Sequence, residues 1–592
     1  MMDMSITGLL AAYSAGSLTP RDLIAALRPQ LDATRDHCAW IHLLDDTSLE
    51  AYLARLEGKT PAELPLYGIP FAIKDNIDLA GVPTTAACPA YAYTPTASAT
   101  VVTRLIEAGA LPLGKTNLDQ FATGLVGTRS PYGITRNAFD RAYVSGGSSA
   151  GSAVAVALGL VSFALGTDTA GSGRGPAAFN NLMGVKPTRG LVSARGVVPA
   201  CQSLDCVSVF TLDAADAQCV MKVVAAFDVA DPYARPCVAM PPARETFVVG
   251  VPATLETAGD VETQRAFDRA VAALQGQGAV IREVDLNAML AAARLLYEGP
   301  WVAERYAAIR AFIEQQPEAL HPVTRAIIEP AASRSAADCF DALHRLQSLK
   351  RDADAVLATV DCIMTPTAPT IFRIDDEQRE PIARNSTLGY YTNFMNLLDY
   401  AAVAVPAGFA ANGLPYGVTL FGPAFSDQAL LVYADRLHRA LGIPVGTTAC
   451  LPTVLAPCKD TDTLQIVVCG AHLSGLPLNY QLTDRAGTLE QVTTTAPCYR
   501  LYALPGGPPL RPGLVRVATG GAAIAVEVWR LPLLAVGSFL AGIPAPLAIG
   551  SVLLADGSSV KGFVCEAIGT DGAEDVTVYG DWRAVLSARQ GH

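Results

Sequence analysis

The chain has 592 residues, 51% of them hydrophobic and 17% charged, with a formal net charge of −12. That length exceeds one ordinary domain and supplies a large core, while the negative balance disfavours nucleic acid and anionic membranes as partners. Thirteen cysteines, an odd number with no C-x-x-C pair, fit reduced thiols in a cytoplasmic enzyme better than a disulfide framework, and nothing in the sequence supports a metal site or a cofactor. The opening MMDMSITGLL contains Asp3 and no basic residue, so it lacks the n-region of a signal peptide. Thr19, Pro20, Arg21 and Asp22 read as an N-cap, a proline at the first helical position and an acidic first turn, which predicts an N-terminal helix.

Next comes YGIPFAIKDNI, Tyr67 to Ile77. A lone lysine is ordinarily a solvated surface residue, but the apolar run Ile69, Pro70, Phe71, Ala72 and Ile73 predicts burial for Lys74. Val101 to Ala108 has helical periodicity with Gly109 as its stop. GALPLGKT, 109–116, matches the phosphate-binding pattern G-x-x-x-x-G-K-[ST] in full. A genuine phosphate loop follows a strand and opens a helix, whereas this segment follows a helix and reads as a buried strand, so Lys115 is expected to be structural.

Residues 145–189 are the most informative stretch. Gly146 and Gly147 permit a tight turn before Ser148, and Gly166, Gly171, Gly173 and Gly175 leave little bulk around Ser172. Read as chemistry, this is a serine nucleophile in a cavity lined by backbone amides. A rival pattern, G-x-S-x-G over 147–151, would make Ser149 the nucleophile of an α/β-hydrolase. That enzyme needs an acid and then a histidine downstream, and none of the seven histidines sits in such a context. Residues 153–166 are apolar, too short to span a bilayer, and are read as a buried helix.

Apolar strands such as GALPLG and CIMTP (362–366) alternate with long helical patterns, which predicts an α/β architecture with a mixed sheet sandwiched by helices over 1–441. Residues 442–463 read as a linker. The remainder, 464–592, is punctuated by Gly and Pro and predicts a smaller β-rich α+β domain with strands in LQIVVCG, RLYAL, LVRVA, AIAVEVWRLP and SVLLADGSSVKGFVCEA. Leu531 to Ala555 carries no charge, but its prolines and glycines favour short buried strands over a membrane helix.

Together, the Tyr67–Ile77 segment and the 145–189 block resemble the amidase signature family, whose hydrolases use a Ser-Ser-Lys triad. The resemblance places Lys74 at the basic lysine, Ser148 at the bridging serine and Ser172 at the nucleophile, and it implies the amidase signature fold. It also implies a cis peptide at Gly147–Ser148 and an oxyanion hole from the N–H groups of Thr169, Ala170, Gly171 and Ser172. A serine hydroxyl must lose its proton as it attacks. Lys74 can take that proton only when neutral, so burial must bring it from roughly 10.4 toward about 7–8. Gly175 departs from the pattern, which usually has a branched apolar residue there, so local packing is expected to differ.

Three further segments, 119–133, 297–309 and 385–406, resemble allophanate hydrolases within that family, as does VVCGAHLSGLPLN, 467–479, in the C-terminal region. The implied substrate is a small anionic amide, urea bearing a carboxylate. Arginine's planar fork suits a carboxylate, and the resemblance puts Arg305 and Tyr297 in that role with Gly124 close through its backbone. Taken alone, Arg305 in a helical AERYAAI pattern reads as a surface ion-pair residue. His472, in the glycine-flanked CGAHLSG, is the C-terminal candidate for proton transfer, set against a satisfied structural histidine. A homodimer is the expected state, with assembly onto other urea- or biuret-degrading enzymes left open. The rival functions are a general amidase or a component of amidotransferase type working on another small amide, and a scaffolding role for the C-terminal region.

Overall fold

A computed structural model describes residues 2–238, 240, 242–455 and 463–590, and the chain forms two compact units. The first is built on an 11-stranded mixed sheet. In chain order its strands are β1 (Trp40–Leu43), β2 (Pro70–Lys74), β3 (Leu111–Thr116), β4 (Phe163–Asp168), β5 (Met183–Lys186), β6 (Cys206–Thr211), β7 (Phe247–Pro252), β8 (Ala279–Val284), β9 (Cys362–Pro366), β10 (Tyr400–Phe409) and β11 (Pro415–Pro423). They are arranged β1-β3-β2-β4-β6-β5-β10-β11-β9-β7-β8. The centre reads as near-continuous apolar sequence because both faces are covered: every residue of β2, β3, β4, β5 and β6 is buried. β2 runs parallel to β3 and β4, which brings the ends of β2 and β4, Lys74 and Asp168, to the same edge of the central sheet.

The local signals at the start of the chain hold. Thr19 and Asp22 form a capping box on the helix Pro20–Ala33, with Pro20 in its first turn. The helix Thr100–Glu107 ends before Gly109, whose φ is +97°, and the P-loop lookalike is β3, with Lys115 buried in an ion pair with Asp75 at 3.0 Å.

Three expectations change. Residues 153–166 are not one helix: the helix Ala150–Ala157 stops ahead of Gly159, at φ +69°, and Phe163 already belongs to β4. The expected linker is part of the first unit as far as Leu455. Asn181 Nδ2 donates to Pro444 O (2.7 Å) and Gly446 O (3.0 Å), and Asp213 Oδ2 accepts from Thr453 N at 2.7 Å. Buried side chains thus satisfy a backbone that composition alone marks as irregular; residues 456–462 lie outside the described residues.

The second unit has a five-stranded sheet and a three-stranded sheet. The five strands are Thr488–Thr494, Ala525–Pro532, Thr463–Val468, Ser559–Cys565 and Leu547–Leu553, in that order across the sheet. The third change lies here. After Pro532 the chain forms a helix, Leu533–Leu540, before the strand Leu547–Leu553. Val536 and Phe539 from this helix pack into the core of the unit, so the apolar residues are used at helical spacing. Among the described residues no helix is long and apolar enough to cross a membrane.

Candidate active site

Lys74 ends β2, and its apolar flank does bury it: Ile69, Phe71, Ala72, Ile73 and Lys74 are all closed to solvent. Its Nζ donates to Ser148 Oγ at 2.8 Å and to Thr167 Oγ1 at 2.7 Å. Loss of water disfavours the ammonium, so Lys74 falls from 10.5 to about 7. Asp119, Asp205 and Asp168 oppose that fall, and the Arg305 cation reinforces it.

Ser148 sits at the entrance to the helix Ala150–Ala157, and the Gly147–Ser148 peptide is cis. The turn is crowded: a Cβ on Gly147 would lie 2.1 Å from Asp119 Oδ2, so only glycine fits. Asp119 organises the facing loop, accepting from Val126 N at 3.1 Å and Gly127 N at 3.0 Å through Oδ2 and from Arg129 N at 3.0 Å through Oδ1, while its own N–H donates to Ser148 O at 3.1 Å. Ser149, the rival nucleophile, is engaged elsewhere. Its hydroxyl donates to Thr167 O at 3.1 Å and accepts from Thr167 N at 3.3 Å, a structural pairing inside the helix–sheet contact.

Ser172 is buried in the loop between β4 and the short helix Gly175–Phe179. Asp168 clamps that loop. Its carboxylate accepts from Gly171 N at 2.8 Å, Gly173 N at 2.9 Å, and Arg174 Nε and Nη2 at 2.9 and 3.0 Å, with both side chains of the ion pair fully buried. Asn396 Nδ2 holds Asp168 O at 2.7 Å, and Thr392 Oγ1 donates to Ala170 O at 2.7 Å. Gly171, at φ +128°, has no room for a Cβ, which would fall 2.3 Å from Thr392 Oγ1. This clamp distinguishes among the N–H groups of the expected oxyanion set. The Gly171 N–H is committed to Asp168, whereas the N–H groups of Thr169, Ala170 and Ser172 have no partner among the described residues. At Gly175 an added Cβ would meet nothing within 4 Å, so the departure from the family pattern leaves open space and no clash.

Arg305 is not a surface residue. It is 2% exposed, with Nη1 donating to Ala122 O (3.3 Å) and Thr123 Oγ1 (3.1 Å), while Nε has no partner. Its guanidinium lies 5.7 Å from the Tyr297 ring centroid. Gly124 follows those two acceptors in the chain, packed so that a Cβ would come 2.5 Å from Asp119 Oδ2. Tyr297 also lines a cavity of about 500 Å³ with Asn385, and Asn385 Oδ1 accepts from Leu125 N at 2.7 Å. The structure therefore gathers Gly124, Tyr297 and Arg305 around one loop.

In the second unit His472 lines a separate cavity of about 350 Å³ together with Gln481, Arg511 and Phe563. Its Nε2 is 3.0 Å from Gln481 Oε1 and its ring stacks on Phe563 at 5.0 Å. Burial lowers its pKa, favouring the neutral imidazole.

A mixed sheet carrying a buried lysine against a serine hydroxyl, beside a glycine-rich loop with unpartnered N–H groups, defines an amidase-type α/β protein. The family model described as Amidase matches residues 22–431, and the chain belongs to that family. A second model, Allophanate hydrolase C-terminal domain, matches residues 464–587. The chain is 46% identical over 568 residues to the urea amidolyase of Saccharomyces cerevisiae, a match covering 92% of this chain and 31% of that protein. It spans about a third of the length of the urea amidolyases it matches. The structure resembles that of Kluyveromyces lactis allophanate hydrolase with a TM-score of 0.82 at 43% identity, covering 99% of each chain. The peptide amidase of Stenotrophomonas maltophilia matches at 27% identity and TM-score 0.64, covering 75% of this chain and 98% of the other.

Proposed function

We propose that the chain hydrolyses allophanate by acyl transfer to Ser172. Ser172 Oγ attacks the ureido carbonyl while its proton passes through Ser148 to neutral Lys74. The N–H groups of Thr169, Ala170 and Ser172 are the donors available to the developing oxyanion, where one donor is typically worth 10²–10³ in rate, on the order of 3–4 kcal/mol. The proton on Lys74 returns to the leaving nitrogen and ammonia departs. Water, activated by the same Ser148–Lys74 pair, frees the acyl-enzyme as N-carboxycarbamate, which breaks down to ammonia and carbon dioxide.

The observation that carries this reading is the Lys74 Nζ to Ser148 Oγ contact at 2.8 Å with Lys74 brought to about 7 by burial, since it gives a base that can shed its proton near neutral pH next to a hydroxyl relay. The likeness to Kluyveromyces lactis allophanate hydrolase and to yeast urea amidolyases supports allophanate as substrate and a place in urea breakdown. The buried, unpartnered Arg305 Nε supports recognition of the substrate carboxylate. We also propose that His472 handles a proton on the N-carboxycarbamate product, supported by its neutral imidazole at a cavity that also contains the Arg511 cation.

A substrate panel with Arg305→Lys tests the specificity half. Lysine keeps the charge and loses the planar fork, so kcat/KM for allophanate is expected to fall about 10–100-fold while a neutral amide such as malonamide changes little. Equal losses on charged and neutral amides would make Arg305 a structural residue.

A further inference from the structure

Arg305 and the Thr169–Ala170 peptide come from distant parts of the chain, and one short turn bonds to Glu304, beside the first, and to the Thr169 hydroxyl, beside the second. Residues 200–205 fold back on themselves, with Leu204 N and Asp205 N each donating to Cys201 O at 2.9 Å. The Asp205 carboxylate accepts from the Thr169 hydroxyl, and also from Ala200 N at 2.7 Å and Cys201 N at 3.2 Å. Two residues earlier, Ser203 is gripped by Glu304, the neighbour of Arg305: Ser203 N and Oγ donate to its two carboxylate oxygens, each at 2.7 Å. Cys201 Sγ adds a contact to Trp301 O, 3.6 Å away at the start of the same helix, and Arg189 Nη1 pins Ser203 O at 3.1 Å.

We propose that the 200–205 turn is a bracket that sets the distance between Arg305 and the Thr169–Ala170 donors, with Asp205 and Glu304 as its positioning residues. The inference rests on the reading of the site as an allophanate hydrolase. The reason lies in the substrate. Its carboxylate and its scissile carbonyl belong to one small, flat molecule, so the cation that holds the first and the amides that polarise the second must keep a fixed spacing, and an error of about 1 Å can cost about 100-fold in kcat/KM. Neither element fixes that spacing alone, because Arg305 rides on the helix Trp301–Ala308 and Thr169 on the loop after β4. The turn bonds to both through charge-assisted hydrogen bonds, which are the stronger kind.

The two ends of the bracket predict different kinetic defects in the full chain. Glu304→Ala frees the arginine end and is expected to raise KM for allophanate about tenfold with kcat nearly unchanged. Glu304→Gln restores KM to within about twofold, because its amide still accepts from Ser203 N and can donate to Ser203 Oγ. Asp205→Asn disturbs the amide end, since both carboxylate oxygens accept and an amide offers one acceptor. It is expected to lower kcat about tenfold or more with little change in KM. It also removes a carboxylate that faces Lys74, leaving Asp119, Asp168 and Arg305, so the acid limb of its rate profile moves to lower pH. A turn that merely holds the fold together would lower kcat in Glu304→Ala with KM unmoved and give no rescue by glutamine; either result overturns the bracket. Wild-type chain that releases no ammonia from allophanate would overturn the underlying reading as well as the bracket.

Discussion

Lys74 is where activity and stability oppose each other. Its value in the folded chain, about 7, lies below the ordinary 10.5. Between those two pH values the unfolded chain binds a proton that the folded chain does not, so stability rises with pH by up to about 1.4 kcal/mol per unit. Below pH 7 the cost of burying the ammonium is fully present. Lys74→Met removes that cost together with the proposed base. The variant is therefore expected to release no ammonia, and its Tm relative to wild type should be most favourable near pH 7 and decline as pH approaches 10.5, the ordinary lysine value. In the wild type, kcat/KM should rise through about pH 7 as Lys74 loses its proton. A difference in Tm that stays constant over that range would mean that folding does not neutralise Lys74.

At the scale of the element, short-range signals were readable and long-range partners were not. The capping box at Thr19 and Asp22, the stop at Gly109 and the strand under the P-loop lookalike all depend on residues a few positions apart. Lys74 was legible for the same reason, since its burial follows from the five residues before it. The strand Thr488–Thr494 escaped notice because its residues are mostly exposed and TLEQVTT has no apolar alternation to reveal an edge strand. The helix Leu533–Leu540 was hidden in a run apolar in every position but one, where strand and helix periods cannot be told apart. The clamp on the Ser172 loop was equally invisible. Asp168 and Arg174 flank that serine in the sequence, but Thr392 and Asn396 lie more than two hundred residues away. The commitment of the Gly171 N–H to Asp168 needed the side-chain geometry.

For the whole molecule, the proposed chemistry divides between two units with separate cores. In that proposal ammonia release by Ser172 belongs to the first and turnover of N-carboxycarbamate to the second. His472→Ala in the full chain should therefore leave the first ammonia release near wild type while slowing carbon dioxide release; equal rates of both products in the variant and the wild type would reduce His472 to a packing residue against Phe539 and Phe563. Ser172, and not Ser149 of the G-x-S-x-G pattern, is the proposed nucleophile. Steady-state ammonia release from allophanate by Ser172→Ala and Ser149→Ala, side by side with wild type, tests it most directly. Loss of at least about 10³-fold in Ser172→Ala, against a Ser149→Ala variant that keeps most of its activity, is the expected result. Comparable losses in the two variants, or a Ser172→Ala enzyme that still turns over, would contradict it.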